Sequence, residues 1–194
     1  MFKRLFLMGF MMGALSACGQ STIRSGSSLQ VDAQTSVLVL GMSPNYRIHL
    51  LRGQIADGTW VRPTLDVPEV NAFPDENGYI VVKLKPTTEA EKLGVSLVFP
   101  GGVPYGPCQG YQNPIFTLPP GTITYVGDLH YTFDGSTLHY SVSSDAKKAR
   151  AYLASKYQSN GPVEVRLMEV MKVRSGLCHQ KTTTIPIFIP AGRR

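Results

Sequence analysis

Between residues 36 and 190 the chain is a succession of short runs rich in Val, Ile, Leu, Tyr and Thr, each closed by Gly, Pro, Asn or Asp. This punctuation limits the fold more than any other feature, because such runs are too short for helices and end where the backbone must turn. Strands are predicted at 36–40, 46–54, 59–62, 79–85, 94–99 and 115–118. The turns between them carry Ser43-Pro44-Asn45, Ala56-Asp57-Gly58, Asn77-Gly78 and Pro100-Gly101-Gly102. The expectation is a mainly β domain over 36–190, an antiparallel β-sandwich of about seven to nine strands. One α-helix interrupts it at 143–158, started by Ser144 or Asp145 and stopped by Asn160-Gly161-Pro162. Ala149, Tyr152, Leu153 and Tyr157 give that helix one apolar stripe, which packs it on a sheet. A strand follows over 162–173, in which Met168 breaks the alternation and predicts a bulge. The last strand, 181–190, contains Pro186 and belongs at an edge.

The sharpest local signal is the hairpin predicted around Asp134-Gly135, a pair suited to a two-residue turn. With those two residues as the loop, Phe133 faces Ser136, Tyr131 faces Leu138 and Leu129 faces Tyr140 on an apolar side that looks into the core. The other side places His130 across from His139, with Asp128 one step away. Two imidazoles and a carboxylate are a candidate metal or acid–base cluster. The competing reading is the polar solvent face that alternation produces in any half-buried antiparallel pair.

The N-terminus is of another kind. Lys3 and Arg4 precede eleven uncharged, apolar residues, 5–15, and then Ser16, Ala17 and Cys18. A helix of eleven residues rises about 16 Å, too short for a hydrocarbon core of about 30 Å, so this is a cleaved targeting segment. Leu15-Ser16-Ala17-Cys18 resembles the lipobox of bacterial lipoprotein precursors, a likeness confined to residues 1–20. The resemblance implies cleavage before Cys18, a signal peptide at 1–17, and palmitate-type acyl chains on the Cys18 thiol and amine. It also implies a lipid-anchored life in the bacterial cell envelope. Gly19, where an Asp would retain such a protein at the inner membrane, implies the outer membrane facing the periplasm. Residues 18–35, rich in Ser and Gly, read as a flexible tether, and 191–194 as a tail. The mature part resembles no family.

Cys108 and Cys178, in a chain bound for an oxidising compartment, are expected to pair; a thiol nucleophile, or a metal site with His179, are the rivals. Removing Lys3 and Arg4 leaves seventeen basic against thirteen acidic residues, a mild +4 that makes no case for nucleic acid. Lys147, Lys148, Arg150 and the terminal Arg193-Arg194 read as solvated charge. Gly-X-Ser-X-Gly, the phosphate-cradling Gly-rich loop and paired-His zinc motifs are absent. Asp66, Glu69, Asp75 and Glu76 read as turn residues rather than a catalytic carboxylate pair. The long segment 101–120 offers Tyr105, Tyr111 and Phe116 as partner-binding aromatics if the disulfide braces it, or is a structural loop held shut by that bridge. The function expected is therefore an accessory or protein-interaction module with no assigned cofactor. An envelope hydrolase or metal-binding protein using His130, His139 and Asp128, and a carrier of small amphiphiles between the sheets, are the alternatives.

Overall fold

A computed structural model describes residues 22–65, 67–159, 161–176, 178 and 188–189. The strands are β1 (Ser28–Leu29), β2 (Ser36–Ser43), β3 (Arg47–Ala56), β4 (Thr59–Val61), β5 (Val70–Ala72), β6 (Tyr79–Leu84) and β7 (Glu91–Phe99). They continue as β8 (Gln112–Phe116), β9 (Ile123–Phe133) and β10 (Leu138–Ser143), and, after helix α1 (Ala146–Lys156), as β11 (Gln158–Ser159), β12 (Val163–Val165), β13 (Glu169–Arg174) and β14 (Phe188–Ile189). The six early strands predicted from the sequence are all present. The missed ones, β1, β5 and β11, have only two or three residues, too few to show a period.

The first sheet runs β14-β10-β9-β2-β6, with β12 on the part of β9 that β10 leaves free. The second runs β4-β13-β8-β7-β3-β5, and β4 also pairs with β3. That last pairing closes β3, β4, β13, β8 and β7 into a five-stranded barrel. The architecture is mainly β with one helix, as expected. The all-antiparallel sandwich is corrected: one sheet closes on itself, and β2–β9, β12–β9, β4–β13, β1–β11 and β10–β14 are parallel pairs.

Side-chain alternation explains the closure. In β3, Leu51 and Ile55 point into the barrel beside Trp60, Ile115, Met171 and Val173, while Ile48 and Leu50 point out toward the first sheet. Trp60 fills the lumen and donates its indole N–H to the Lys92 carbonyl at 3.1 Å. Two glycines make room for it: a Cβ at Gly53 would lie 2.5 Å, and at Gly94 2.6 Å, from Trp60 Cε2.

The main core lies between barrel and sheet. Leu38, Leu40, Ile80, Val82, Leu129 and Tyr131 meet Ile48, Leu50, Leu93, Val95, Phe116 and Leu118 there. The opposite face of the sheet, Val37, Val39, Tyr79, Val81, Ile123 and Tyr125, takes Ala149, Tyr152 and Leu153 of α1. Helix α1 starts as predicted, with the Asp145 carboxylate accepting from the Lys148 amide at 2.9 Å. It ends earlier than predicted, at Tyr157, whose extended backbone leads directly into β11. The expected bulge at Met168 is a change of sheet. β12 belongs to the first sheet and β13 to the barrel, and the intervening Met168 is buried in the core between them. Residues 181–187 and 190–194 lie outside the described residues; β14 pairs at the edge of its sheet.

The tether expectation is corrected for residues 22–35. Thr22 forms a bridge with Val82 and Ile23 donates to the Val81 carbonyl, so the chain runs along the free edge of β6. Gly26 donates to the Lys156 carbonyl, β1 pairs with β11, and Leu29 is fully buried under α1. Composition misled here, because Ser and Gly supply backbone hydrogen bonds while Ile23 and Leu29 supply the packing.

Candidate functional site

Three places merit a functional reading: the polar face of the β9–β10 hairpin, the disulfide-braced segment, and a cavity beside α1.

In the hairpin Phe133 pairs with Leu138, Tyr131 with Tyr140 and His130 with Ser141. The predicted register is therefore displaced by two residues. The loop is Gly135-Ser136, because the Asp134 carboxylate accepts from the Ser136 and Thr137 amides at 2.9 and 2.7 Å and fixes the turn one residue later. These bonds hold the Asp134 carboxyl well below its ordinary value. A two-residue displacement keeps each side chain on its face, so Leu129, Tyr131, Leu138 and Tyr140 are in the core as expected. It separates the histidines. His139 lies opposite Thr132 and within 3.3 Å of Asp134 Oδ2. His130 sits between two hydroxyls, with Ser43 Oγ 2.8 Å from Nδ1 and Ser143 Oγ 2.6 Å from Nε2.

Asp128 faces Ser143 across the ladder, and its Oδ2 accepts from the Tyr125 hydroxyl at 2.7 Å. The Tyr125 oxygen in turn accepts from the Asp145 amide, so Asp128 ties the start of α1 to the sheet. Gly41 is required beside it, since a Cβ there would overlap the Asp128 carboxylate. Among the described residues no three His, Cys, Asp or Glu side chains are placed to share a metal. The alternative reading of His130, His139 and Asp128 as one cluster is thus corrected to a Ser–His–Ser arrangement and two structural carboxylates. An imidazole between hydroxyls can take a proton from one while donating to the other. Among the described residues no carboxylate is hydrogen-bonded to its ring.

Cys108 and Cys178 form a disulfide, with Cα atoms 4.6 Å apart and a separation of 70 positions in sequence. It extends the β8–β13 ladder, where Gly110 donates to the Val173 carbonyl and Val173 to the Tyr111 carbonyl. Segment 101–120 is accordingly part of the fold. Tyr105 exchanges backbone hydrogen bonds with Val98 and packs edge-on against Phe133 at 5.2 Å. Tyr105 and Phe116 are both buried, and Tyr111 is half-buried. The reading of Tyr105 and Phe116 as displayed aromatics is corrected: alternation sends both into the core.

Between barrel and sheet, where the alternative reading placed a small amphiphile, the described residues pack as one core, with a gap of about 10 Å³ bordered by Tyr131 and Tyr140. A larger cavity of about 300 Å³ lies on the helix side, among Thr22, Ile23, Phe73, Asp75, Glu76, Tyr79, Tyr152, Lys156 and Tyr157. Its polar groups are already engaged. Asp75 accepts from the Asn77 and Tyr79 amides and from the Tyr152 hydroxyl at 2.7 Å, and Lys156 meets Glu76 at 2.9 Å. Burial works to lift the Asp75 carboxyl, but those hydrogen bonds outweigh it and hold it below its ordinary value. Burial and the nearby Asp128, Asp145 and Asp75 push the Tyr79 hydroxyl up to about 12.

Sequence reasoning missed the exposed apolar residues. Leu65 is 80 % exposed, Val67 75 % and Phe73 58 %. Their signal was present, as apolar residues set between Pro63, Pro68 and Pro74 without a strand period. Glu69, read as a turn carboxylate, chelates Arg52 at 2.6 and 3.0 Å. Cys18, Asp66 and His179 lie outside the described residues. Compared with protein-family models, with curated proteins and with solved structures, the chain matches none.

Proposed function

We propose that the mature protein is a lipid-anchored accessory module of a bacterial cell envelope, cut before Cys18, acylated there, and acting by contact with another envelope protein. The observation that carries this reading is the order of residues at the start of the chain: two cations, eleven apolar residues, two small residues and a cysteine. Two or three acyl chains on one residue hold a protein durably, whereas one alone binds marginally. Gly19 supports the outer membrane, on its periplasmic side, as the address.

A contact role is supported by Leu65 and Val67, apolar side chains exposed on the proline-bounded segment between β4 and β5. Exposed apolar groups of this kind supply the core of a partner surface when a partner covers them. They take the place in this reading that Tyr105 and Phe116 held. The test is a cross-linking pull-down of the full-length protein from its native membranes, beside Cys18→Ala and Leu65→Ser/Val67→Ser variants. A discrete partner retained by the parent and lost from both variants is the expected result. Equal recovery from all three would overturn the interaction reading.

A further inference from the structure

Thr22, the first of the described residues, follows Cys18 by four positions. Four residues reach at most about 14 Å at ~3.3–3.6 Å each, whatever their path. Thr22 and Ile23 are fixed to the edge of β6 by the Val82 bridge and the Val81 carbonyl. An anchor at Cys18 therefore leaves the domain little freedom to stand off or turn over.

The surface around that exit point has its own character. Phe73, 58 % exposed, borders the same cavity as Thr22 and Ile23. Arg24 is exposed on the incoming strand, and α1 presents Lys147, Lys148 and Arg150 to solvent. Lys156 closes the cavity, and the Lys148 ammonium lies 5.9 Å from the Tyr79 ring centroid. Asp75, Glu76 and Asp145 lie on the same side and keep their charge while accepting from Tyr152 and the turn amides, from Lys156 and from the first turn of α1, so the five cations Arg24, Lys147, Lys148, Arg150 and Lys156 outnumber these three acids by two. An exposed aromatic beside an excess of cations is the composition of a surface that rests on headgroups, the ring at the interface and the cations over anionic lipid.

We infer that the anchored domain lies on an anionic lipid surface with Phe73, Arg24 and the exposed side of α1 against the headgroups. This rests on the anchor reading above and adds an orientation to it. The barrel, which lies across the first sheet from α1 and carries the exposed Lys172 on β13, then faces away from the headgroups.

The test uses tryptophan as a depth probe, with Trp60, fully buried in the barrel, as a constant background. Full-length, detergent-extracted Phe73→Trp and Lys172→Trp proteins are returned to vesicles of phosphatidylethanolamine and phosphatidylglycerol bearing brominated acyl chains. The mass of the Cys18 peptide is read from the same preparations. Quenching of Phe73→Trp about twofold or more above that of Lys172→Trp is expected, because bromine quenches at short range from the interface. The excess should fall when Lys147→Glu, Lys148→Glu and Arg150→Glu are added. Equal quenching with Cys18 acylated overturns the orientation and leaves the anchor reading standing. An excess untouched by the three charge reversals overturns the role of α1. An unmodified Cys18 overturns the anchor reading and the orientation with it.

Discussion

At the scale of single residues the fold rests on close approaches that admit no substitute. Gly53 and Gly94 sit against the Trp60 ring, and a methyl group at either must displace it. Gly53→Ala is expected to cost about 1–3 kcal/mol, the usual penalty of overpacking, read from urea unfolding followed by Trp60 fluorescence. Asp75 provides a pH-dependent counterpart. Its carboxyl is held below the ordinary 3.8, so its contribution to stability is complete above that value and is lost as pH falls through its own lower one. Asp75→Asn should therefore lower the melting temperature at neutral pH, and the gap from the parent should narrow below about pH 4. A gap that stays constant down to pH 2 would contradict the assignment. None of these contacts was legible in the sequence. Asp75 looked like one turn acid among several because its partner, Tyr152, is 77 residues away. Asp134 shows the converse. Its turn was read correctly in kind, but its side chain moved the loop by one residue and so parted His130 from His139.

At the scale of elements, period and punctuation carried the prediction where an element was long enough to show them. β2, β3, β6 and β7 were legible as short β-prone apolar runs closed by turn residues, and α1 because its apolar residues repeat at 3.6. The sheet change at Met168 showed only as a broken period, which has the same sequence signature as a bulge. Residues 22–29 were misread because two apolar residues in a Ser- and Gly-rich stretch leave no period at all. That correction is testable. Leu29→Ala should cost about 2–5 kcal/mol if the segment is built into the core under α1. A tether residue would give a change within about 0.5 kcal/mol, and that result would restore the flexible reading.

For the whole molecule, closure of the barrel was beyond the sequence, since it depends on β4 pairing with both β3 and the distant β13. The disulfide was legible because two cysteines remain in a chain read from its N-terminal residues as bound for an oxidising compartment. It closes a 70-residue loop, so the Cys108→Ala/Cys178→Ala variant should lose about 4 kcal/mol on the chain-entropy account. Denaturant titrations of parent and variant, with and without reductant, measure this; reductant should leave the variant unchanged. Which apolar residues are displayed was not legible for a physical reason: the burial of Tyr105 and Phe116 depends on packing against distant parts of the fold, and Leu65 and Val67 stand outside it in a segment with no strand period. The account turns on Cys18, and the most direct measurement is mass spectrometry of the N-terminal peptide of the protein taken from its native membranes. A peptide beginning at Cys18 and carrying diacylglyceryl and amide-linked acyl mass is the predicted result. An N-terminus elsewhere, or a Cys18 without lipid, would contradict it.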